Sequence, residues 1–221
     1  TDSVTVTQTA TVTFTAGTSS ASTSTFSGSP TSVAADGTTT SLLTITLKDA
    51  NDNLVSGKNT SVTKTSGAGT PTITAVTCNS GGTAGISNSS GESCYTVKST
   101  TAATNVFTAS DTTDSVTINQ TASVTFTAGI ANADTPHSTV TADPTTITAD
   151  GSSTSLVTVL VRDVYSNVVS GNNISLSKTS GPGNPTITPV TCLSGGTAGV
   201  TNSSGETCFE VSSITAGLDT F

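Results

Sequence analysis

An internal repeat constrains this chain more than any other feature of its sequence. The segment TSGAGTPTIT at 65–74 returns as TSGPGNPTIT at 179–188, at an offset of 114 residues. At the same offset, CNSGGTAGISNSSGESC at 78–94 returns as CLSGGTAGVTNSSGETC at 192–208. Matches of this length predict tandem copies of one folding unit of about 113 residues, a usual size for a single β-sandwich.

The frame of the repeat divides the chain unevenly. Residues 18–129 hold one complete unit, which ends in TDSVTINQTASVTFTAG, whereas 130–221 lacks the counterpart of this last segment. The opening residues 1–17, TDSVTVTQTATVTFTAG, are a close copy of it. We therefore expect three parts: a closing strand at 1–17 that belongs to a preceding or neighbouring domain, a complete repeat at 18–129, and a repeat at 130–221 that is incomplete at its C-terminal strand.

Alternation of apolar and polar residues marks the strands. Leu43, Ile45 and Leu47 alternate with threonines, and Val157, Val159 and Val161 recur with the same period of two in the second unit, around Thr158 and Leu160. No segment has an apolar period of 3.6 residues over ten or more positions. Short strands separated by Asp-Gly and Ser-Gly turns predict an all-β chain of tandem immunoglobulin-like sandwiches. The segment from Val116 to Phe126 reads as one long closing strand, or as two strands that divide near Thr121.

The four cysteines form two equivalent pairs. Cys78 and Cys94 are separated by 15 residues, as are Cys192 and Cys208. The even number, the equal spacing and the Ser/Gly/Asn-rich interval favour one disulfide inside each unit and an oxidising, extracellular location. Free buried thiols are the next alternative. A zinc site is disfavoured because it calls for C-x-x-C pairs with histidine nearby.

Charge excludes several functional classes. Only 9% of the residues are charged, and six Lys and Arg stand against 14 Asp and Glu. Nucleic-acid binding needs clustered cations, and we expect none of it here. No apolar run approaches the roughly 20 residues that span a bilayer, so no membrane insertion is expected in this segment. The opening TDSVTVTQTA has no features of a signal peptide, so an exported form would be a mature fragment of something longer.

Two polar clusters invite a chemical reading. Asp49 to Asn53, DANDN, could attract calcium, but the counterpart DVYSN at 163–167 lacks two of those side-chain ligands, which favours a polar turn. His137 and Asp134 could be imagined with a serine as a triad, but a lone histidine beside a proline is typical of a solvated loop. We expect no catalytic residues, no metal and no cofactor, and hence no enzyme.

The pattern ADGT, TITLKDANDNLVSG, TITAVT, NSSGESCYTVKSTTA and VFTAS resembles the bacterial immunoglobulin-like repeats of the invasin and intimin type. The resemblance covers 30–107 and 144–221. Asp52 and Leu54 depart from the glycine and proline that such repeats usually have, and paired cysteines are not general among them. The resemblance implies a surface-exposed stalk or adhesin module whose binding activity lies in a separate tip domain. It assigns no binding residue to this chain.

The leading functional hypothesis is a structural repeat segment of a secreted or cell-surface fibre. Residues 1–17 would complete a neighbouring sandwich, either within a longer tandem chain or between molecules that associate head to tail into a filament. The side chains expected to fill the acceptor are Val4, Val6, Val12 and Phe14. The alternative is an adhesin binding module that recognises a glycan or a host protein through loops that differ between the units. Those loops are 18–29 against 130–143, and 49–54 against 163–168.

Overall fold

The computed structural model of the chain describes residues 1, 3, 5–134 and 136–221. All of its regular elements are β-strands, and the described residues contain no α-helix. This confirms the all-β fold class predicted from the alternating pattern. We call residues 18–129 the first repeat and residues 130–221 the second repeat.

The first repeat is a sandwich of two four-stranded sheets. One sheet has the order β1-β3-β6-β5, and the other has the order β2-β8-β7-β4. Neighbouring strands are antiparallel, except that β2 runs parallel to β8. The strands are β1 (Thr25–Ser29), β2 (Ser32–Ala34), β3 (Ser41–Thr46), β4 (Thr60–Ser66), β5 (Thr72–Val76), β6 (Glu92–Lys98), β7 (Ala103–Asp111) and β8 (Val116–Thr127).

The core of the first repeat lies between these two sheets. Because successive strand residues face opposite sides, the apolar half of each alternating run points inward and the threonines point outward. Leu43 and Ile45 of β3 are fully buried, and so is Phe107 of β7. The largest of its fully buried apolar side chains are Phe107, Phe126, Leu43, Ile45, Leu47, Ile118, Val97 and Val124.

Strand β8 is continuous over 12 residues, so the closing segment is one strand and not two. Its pairing with β7 shifts register once, where the single residue between Thr108 and Ser110 lies opposite residues 118–120, so β8 itself carries the bulge. In the middle of β8, Gln120 is exposed, and its Oε1 accepts a hydrogen bond from the backbone N–H of Phe26 at 3.1 Å. This contact attaches β1 of the opposite sheet to the closing strand.

The second repeat reproduces one sheet of the first. Strands β9 (Thr139–Asp143), β10 (Ser155–Leu160), β11 (Thr186–Val190) and β12 (Glu206–Ser212) form a sheet of order β11-β12-β10-β9. Val157 pairs with Phe209 as Leu43 pairs with Tyr95, so the register is the same. The counterparts of β4 and β7 meet at a single bridge between Ser180 and Thr220. Phe221 corresponds to Phe107, and the described residues of this repeat form no strand equivalent to β8.

The two cores predict an unequal response to one matched substitution. Phe107→Ala should destabilise the first repeat by about 3–5 kcal/mol, because it empties a fully buried site between two sheets. Phe221→Ala should cost the second repeat less than about 2 kcal/mol, because the equivalent ring is only half-buried. Urea unfolding followed by NMR signals from each repeat measures both values. Equal losses would show that the second repeat is as closed as the first.

Candidate strand-acceptor groove

The closing strand β8 completes the core of the first repeat, and the described residues of the second repeat form no equivalent strand. In the first repeat β8 lies between β2 and β7 and pairs with both. It buries Ile118, Val124 and Phe126, none of which is more than 1% exposed. Strand β8 therefore joins its sheet into one layer and supplies a large part of the apolar core.

The second repeat has an open groove at the equivalent place. Its volume is about 520 Å³, and its walls include Ile147, Ala149, Val211, Leu218 and Phe221. These residues are the counterparts of Val33 and Ala35, Val97, Thr104 and Phe107 in the first repeat.

Paired residues on β1 and β9 measure how open the groove is. Phe26 is 2% exposed beneath β8, whereas its counterpart Val140 is 52% exposed. The two side chains lie on equivalent strands in the same register, with Phe26 opposite Ile45 and Val140 opposite Val159. The described residues form no strand over Val140, and this accounts for the difference.

The opening segment carries the side chains that would fill such a groove. Val6 and Val12 are 74% exposed and Phe14 is 92% exposed, although their counterparts Ile118, Val124 and Phe126 are buried in β8. Val4, the fourth predicted side chain, lies outside the described residues. None of the described residues between 1 and 17 belongs to a strand or pairs with the first repeat as a strand. The pairing predicted for this segment therefore stays a prediction.

The opening segment enters the first repeat in the way that β8 enters the second. The backbone N–H of Gly17 donates to Oδ2 of Asp49 at 2.9 Å, and the N–H of Gly129 donates to Oδ2 of Asp163, also at 2.9 Å. Gly17 and Gly129 are equivalent residues, and so are the two aspartates. The end of the opening segment thus contacts the first repeat as the end of β8 contacts the second.

Both aspartates organise a polar turn at the point of entry. We call 49–53 and 163–167 the entry turns. Oδ1 of Asp49 accepts the backbone N–H groups of Asn51 and Asn53 at 2.9 and 3.0 Å, and Asp163 does the same for Tyr165 and Asn167 at 2.8 and 2.9 Å. These N–H groups occupy the oxygens that a cation would need. No group of three potential metal ligands occurs among the described residues.

In the second repeat the entry turn also contacts the first repeat. Oδ1 of Asn167 accepts the backbone N–H of Ala102 at 2.8 Å, and its Nδ2 donates to the carbonyl of Thr100 at 2.9 Å. The hydroxyl of Tyr165 donates to the carbonyl of Asp36 at 3.0 Å. We call residue 36 with 99–102 the exit face of the first repeat. This joint was not predicted from the sequence, although an aspartate and an asparagine four residues later are common to both turns.

The predicted cysteine pairs are bonded in the structure. Cys78 joins Cys94 and Cys192 joins Cys208, each with a Cα–Cα distance of 5.2 Å. Each bond connects the loop that follows the outer strand of one sheet to the neighbouring strand, β6 or β12. The enclosed loop is further held by an asparagine whose Nδ2 donates to a glycine carbonyl, from Asn88 to Gly81 at 2.8 Å and from Asn202 to Gly195 at 2.9 Å.

His137 lies beside the entry turn of the second repeat. Its Nδ1 is 3.2 Å from Oγ of Ser166, and both side chains are at the surface. In the described part of the chain, no carboxylate is hydrogen-bonded to this ring. The structure therefore does not bring His137 and Asp134 into a triad.

The family follows from a match along both repeats. A family model described as invasin, domain 3, matches residues 20–129 and again residues 134–220. The chain belongs to this family. Membership and the two disulfides place these invasin-type repeats at the extracellular surface. Within the described residues, no helix has the length and apolar character to cross a bilayer.

Solved structures share the fold of the invasin-type repeats. The chain is similar to the crystal structure of invasin, a bacterial integrin-binding protein, with 24% identity and a TM-score of 0.60, over 88% of this chain and 35% of that one. It is also similar to InvD of Yersinia pseudotuberculosis, with 21% identity and a TM-score of 0.56, over 87% of this chain and 49% of that one. The chain thus spans between about a third and a half of these relatives. No curated protein sequence matched it significantly.

The disulfides should contribute unequal fractions of the stability of the two repeats. Replacing Cys78 and Cys94 by serine should lower the free energy of unfolding of the first repeat by about 3 kcal/mol, the entropy expected for a 15-residue loop. The same change at Cys192 and Cys208 should lower the free energy of unfolding of the second repeat by a similar amount. It should leave a larger fraction of that repeat unfolded, because a single sheet buries less apolar surface than the two sheets of the first repeat. Thermal unfolding of both double variants, with reduced protein as reference, measures this. A loss below about 1 kcal/mol in either variant contradicts the prediction.

The first entry turn should weaken in acid. Hydrogen bonds from the side chain of Asn53 and then from the N–H of Gly17 lower the pKa of Asp49 from 3.8 to about 2. A lowered pKa stabilises the fold above the ordinary value, and this stabilisation is lost as pH falls through the folded value. Stability should therefore fall between about pH 4 and pH 2, as measured by urea unfolding across that range.

Asp49→Asn tests whether this carboxylate is responsible, since it should remove that part of the pH dependence. The comparison is needed because hydrogen bonds from Thr39 also lower the pKa of Asp36, and those from Ser153 lower that of Asp150. Identical pH profiles for the unaltered chain and Asp49→Asn would contradict the assignment.

Proposed function

We propose that this chain is a structural segment of a cell-surface stalk or fibre, built from repeats whose sandwiches are each completed by a closing strand such as β8. In this role residues 1–17 close a repeat equivalent to 130–221, which lies before them in a longer chain or in a neighbouring molecule. The observation that carries the proposal is the match between the open groove of the second repeat and a segment that nearly repeats the sequence of β8.

The match extends to individual positions. In the first repeat β2 and β8 pair in parallel, Ser32 with Thr125, Val33 with Phe126 and Ala34 with Thr127. Moving each residue to its counterpart predicts that Thr146 pairs with Thr13, Ile147 with Phe14, and Thr148 with Thr15. Strand addition satisfies the free backbone groups at the edge of a sheet while side chains fill the pockets, so it is a physically favourable way to close the groove.

We further propose that the role is non-enzymatic. Two pairs of polar residues common to both repeats are engaged in turns: Asp49 and Asp163 in the entry turns, and Asn88 and Asn202 in the disulfide loops. These side chains are used to hold the fold, and no acid, base and nucleophile common to the two repeats are seen to converge on one space in the described residues.

The alternative, a binding module that uses divergent loops, loses part of its support. One of the two divergent loop pairs is the entry turn, and in the second repeat this turn contacts the neighbouring repeat. Its divergence therefore has a local explanation, since Tyr165 reaches Asp36 where the first repeat has the shorter Asn51. The stalk role accounts for more of the described contacts.

A synthetic peptide of residues 1–17 tests strand addition. Added to the isotopically labelled chain, it should slow amide hydrogen exchange at 146–148 and give contacts between Ile147 and Phe14 of the peptide in the NMR spectrum. A peptide with Val12→Ser and Phe14→Ser is the control, because it keeps the backbone but loses the apolar side chains. Unchanged exchange at 146–148 with saturating peptide would refute closure by this segment.

Sedimentation separates closure within a longer chain from closure between molecules. If donation between molecules is the native mode, the chain should associate as concentration rises, and a version without residues 1–17 should stay monomeric. A chain that remains monomeric but accepts the peptide would favour a tandem array in one polypeptide. Association that persists after the deletion would contradict donation between molecules.

A further inference from the structure

One side of the joint between the two repeats, the entry turn, also occurs at the other end of the first repeat. We propose that the entry turn at 49–53 is a docking surface for the exit face of another repeat of this kind, and that Asn53 is the residue that clamps it. The inference rests on the proposed stalk function, because the partner is a preceding repeat in the stalk. It extends that function by assigning the contact surface.

The known joint shows how one asparagine holds two repeats together. The side chain of Asn167 accepts the N–H of Ala102 and donates to the carbonyl of Thr100, so it pairs with the backbone as another strand residue would. The orientation of the Asn167 side chain is fixed, since its Nδ2 also donates to Oδ2 of Asp163 at 2.9 Å. The carboxylate that accepts the N–H of Gly129 therefore also orients the Asn167 amide toward the first repeat.

The same lower half is present in the first repeat. Nδ2 of Asn53 donates to Oδ1 and Oδ2 of Asp49 at 3.2 and 3.0 Å, and Gly17 donates to the same carboxylate. Asp49 is 4% exposed and Asp163 is 1% exposed, so both carboxylates are buried at the base of their turns. Asn53 itself is exposed, whereas Asn167 is partly covered by the first repeat. Within the described residues, Oδ1 of Asn53 accepts no hydrogen bond.

The exit face is also present on the second repeat. Oγ of Ser99 accepts the N–H of Thr101 and donates to its carbonyl, at 2.9 and 3.1 Å, and Ser213 makes the same two bonds with Thr215 at 3.0 and 3.1 Å. This serine motif shapes the backbone that Asn167 grips in the first repeat. The second repeat therefore offers the carbonyl of Ile214 and the N–H of Ala216 in the same arrangement.

The entry turn at 49–53 and the exit face of the second repeat correspond to two surfaces that already bind each other in this chain. An entry turn and an exit face already meet once in this chain, and each repeat carries one of each. The linker geometry is also the same at both ends, because Gly17 and Gly129 reach their aspartates at equal distances. Docking of a preceding exit face on Asn53 would therefore continue an interface that is already present. The joint at Asn53 would lack the tyrosine contact, since Asn51 replaces Tyr165.

Residual dipolar couplings of the backbone amides, measured on isotopically labelled protein, test whether Asn167 fixes the joint. In the 221-residue chain, the amides of both repeats should fit one alignment tensor, because the joint is fixed. Asn167→Ala should give each repeat its own tensor. Asn53→Ala is one control: it removes the matching bond to Asp49, but it should leave the single tensor intact because Asn53 does not contact the second repeat. Val164→Ala, in the same entry turn as Asn167, is the other control and should also leave one tensor. A single tensor in Asn167→Ala would overturn the clamp.

A tandem of two chains tests the docking surface itself. The copies are joined through the sequence of residues 108–112, so that 1–17 of the second copy follow the second repeat of the first in the frame of β8. All four repeats should share one tensor, and Asn53→Ala in the second copy should separate the tensors on either side of the central joint. Asn51→Ala is the matched control and should not. A shared tensor in Asn53→Ala, or separate tensors in the unaltered tandem, would overturn the inference.

Amide exchange at 146–148 in the same tandem distinguishes this inference from the proposed function. Slowed exchange means that the groove has been closed, whatever the tensors show. A closed groove with separate tensors would leave strand closure standing and remove the docking role of Asn53. An open groove would contradict strand closure, and the tensors would then report on the joint alone.

Discussion

The burial of the apolar face of β8 is the interaction on which the rest of the sandwich depends. A sheet of alternating threonine and valine has one apolar face, and that face is stable only when another layer covers it. In the first repeat β8 links β2 to β7 and places Val124 and Phe126 in the core. Without such a strand, the second repeat keeps its disulfide-bonded sheet but has only remnants of the other one.

Much of this organisation could be predicted from the sequence because the repeats are nearly identical and their strands alternate strictly. The pattern from Leu43 to Leu47 can bury one face only, and equal cysteine spacing in both repeats left few alternatives to two local disulfides. That residues 1–17 close another repeat was also predicted from the frame of the match, and it stays a prediction. Each of these signals is either local or repeated, so one chain was sufficient to find it.

Other features could not be predicted because they have no local signature. Strand β2 has three residues, too few to display an alternation, and its parallel pairing with β8 joins positions more than 90 residues apart. The role of Asn167 depends on where a second repeat places its backbone, and an asparagine in a polar turn looks the same whether it faces water or a neighbour. The shared Asp and Asn of the entry turns was the only available hint, and it equally fits an ordinary turn.

The low charge of the chain is matched by hydroxyl contacts across its sheets. Thr104 faces Thr125 with an Oγ1–Oγ1 distance of 2.9 Å, and Thr63 faces Thr108 at 3.2 Å. Such neutral cross-strand pairs are little affected by ionic strength, in contrast to surface ion pairs. The polar face of the sandwich is therefore held by interactions that suit an environment of variable salt.

The parallel pairing of β2 with β8 has a mechanical consequence. Strand β2 follows β1 near the start of the repeat and β8 ends it, so tension that reaches β2 along the polypeptide pulls β2 and β8 in opposite directions along their length. Their ladder is then loaded in shear, and its hydrogen bonds must yield together instead of opening one after another from an end. A repeat wired in this way resists stretching along the one direction in which a tethered surface protein is pulled.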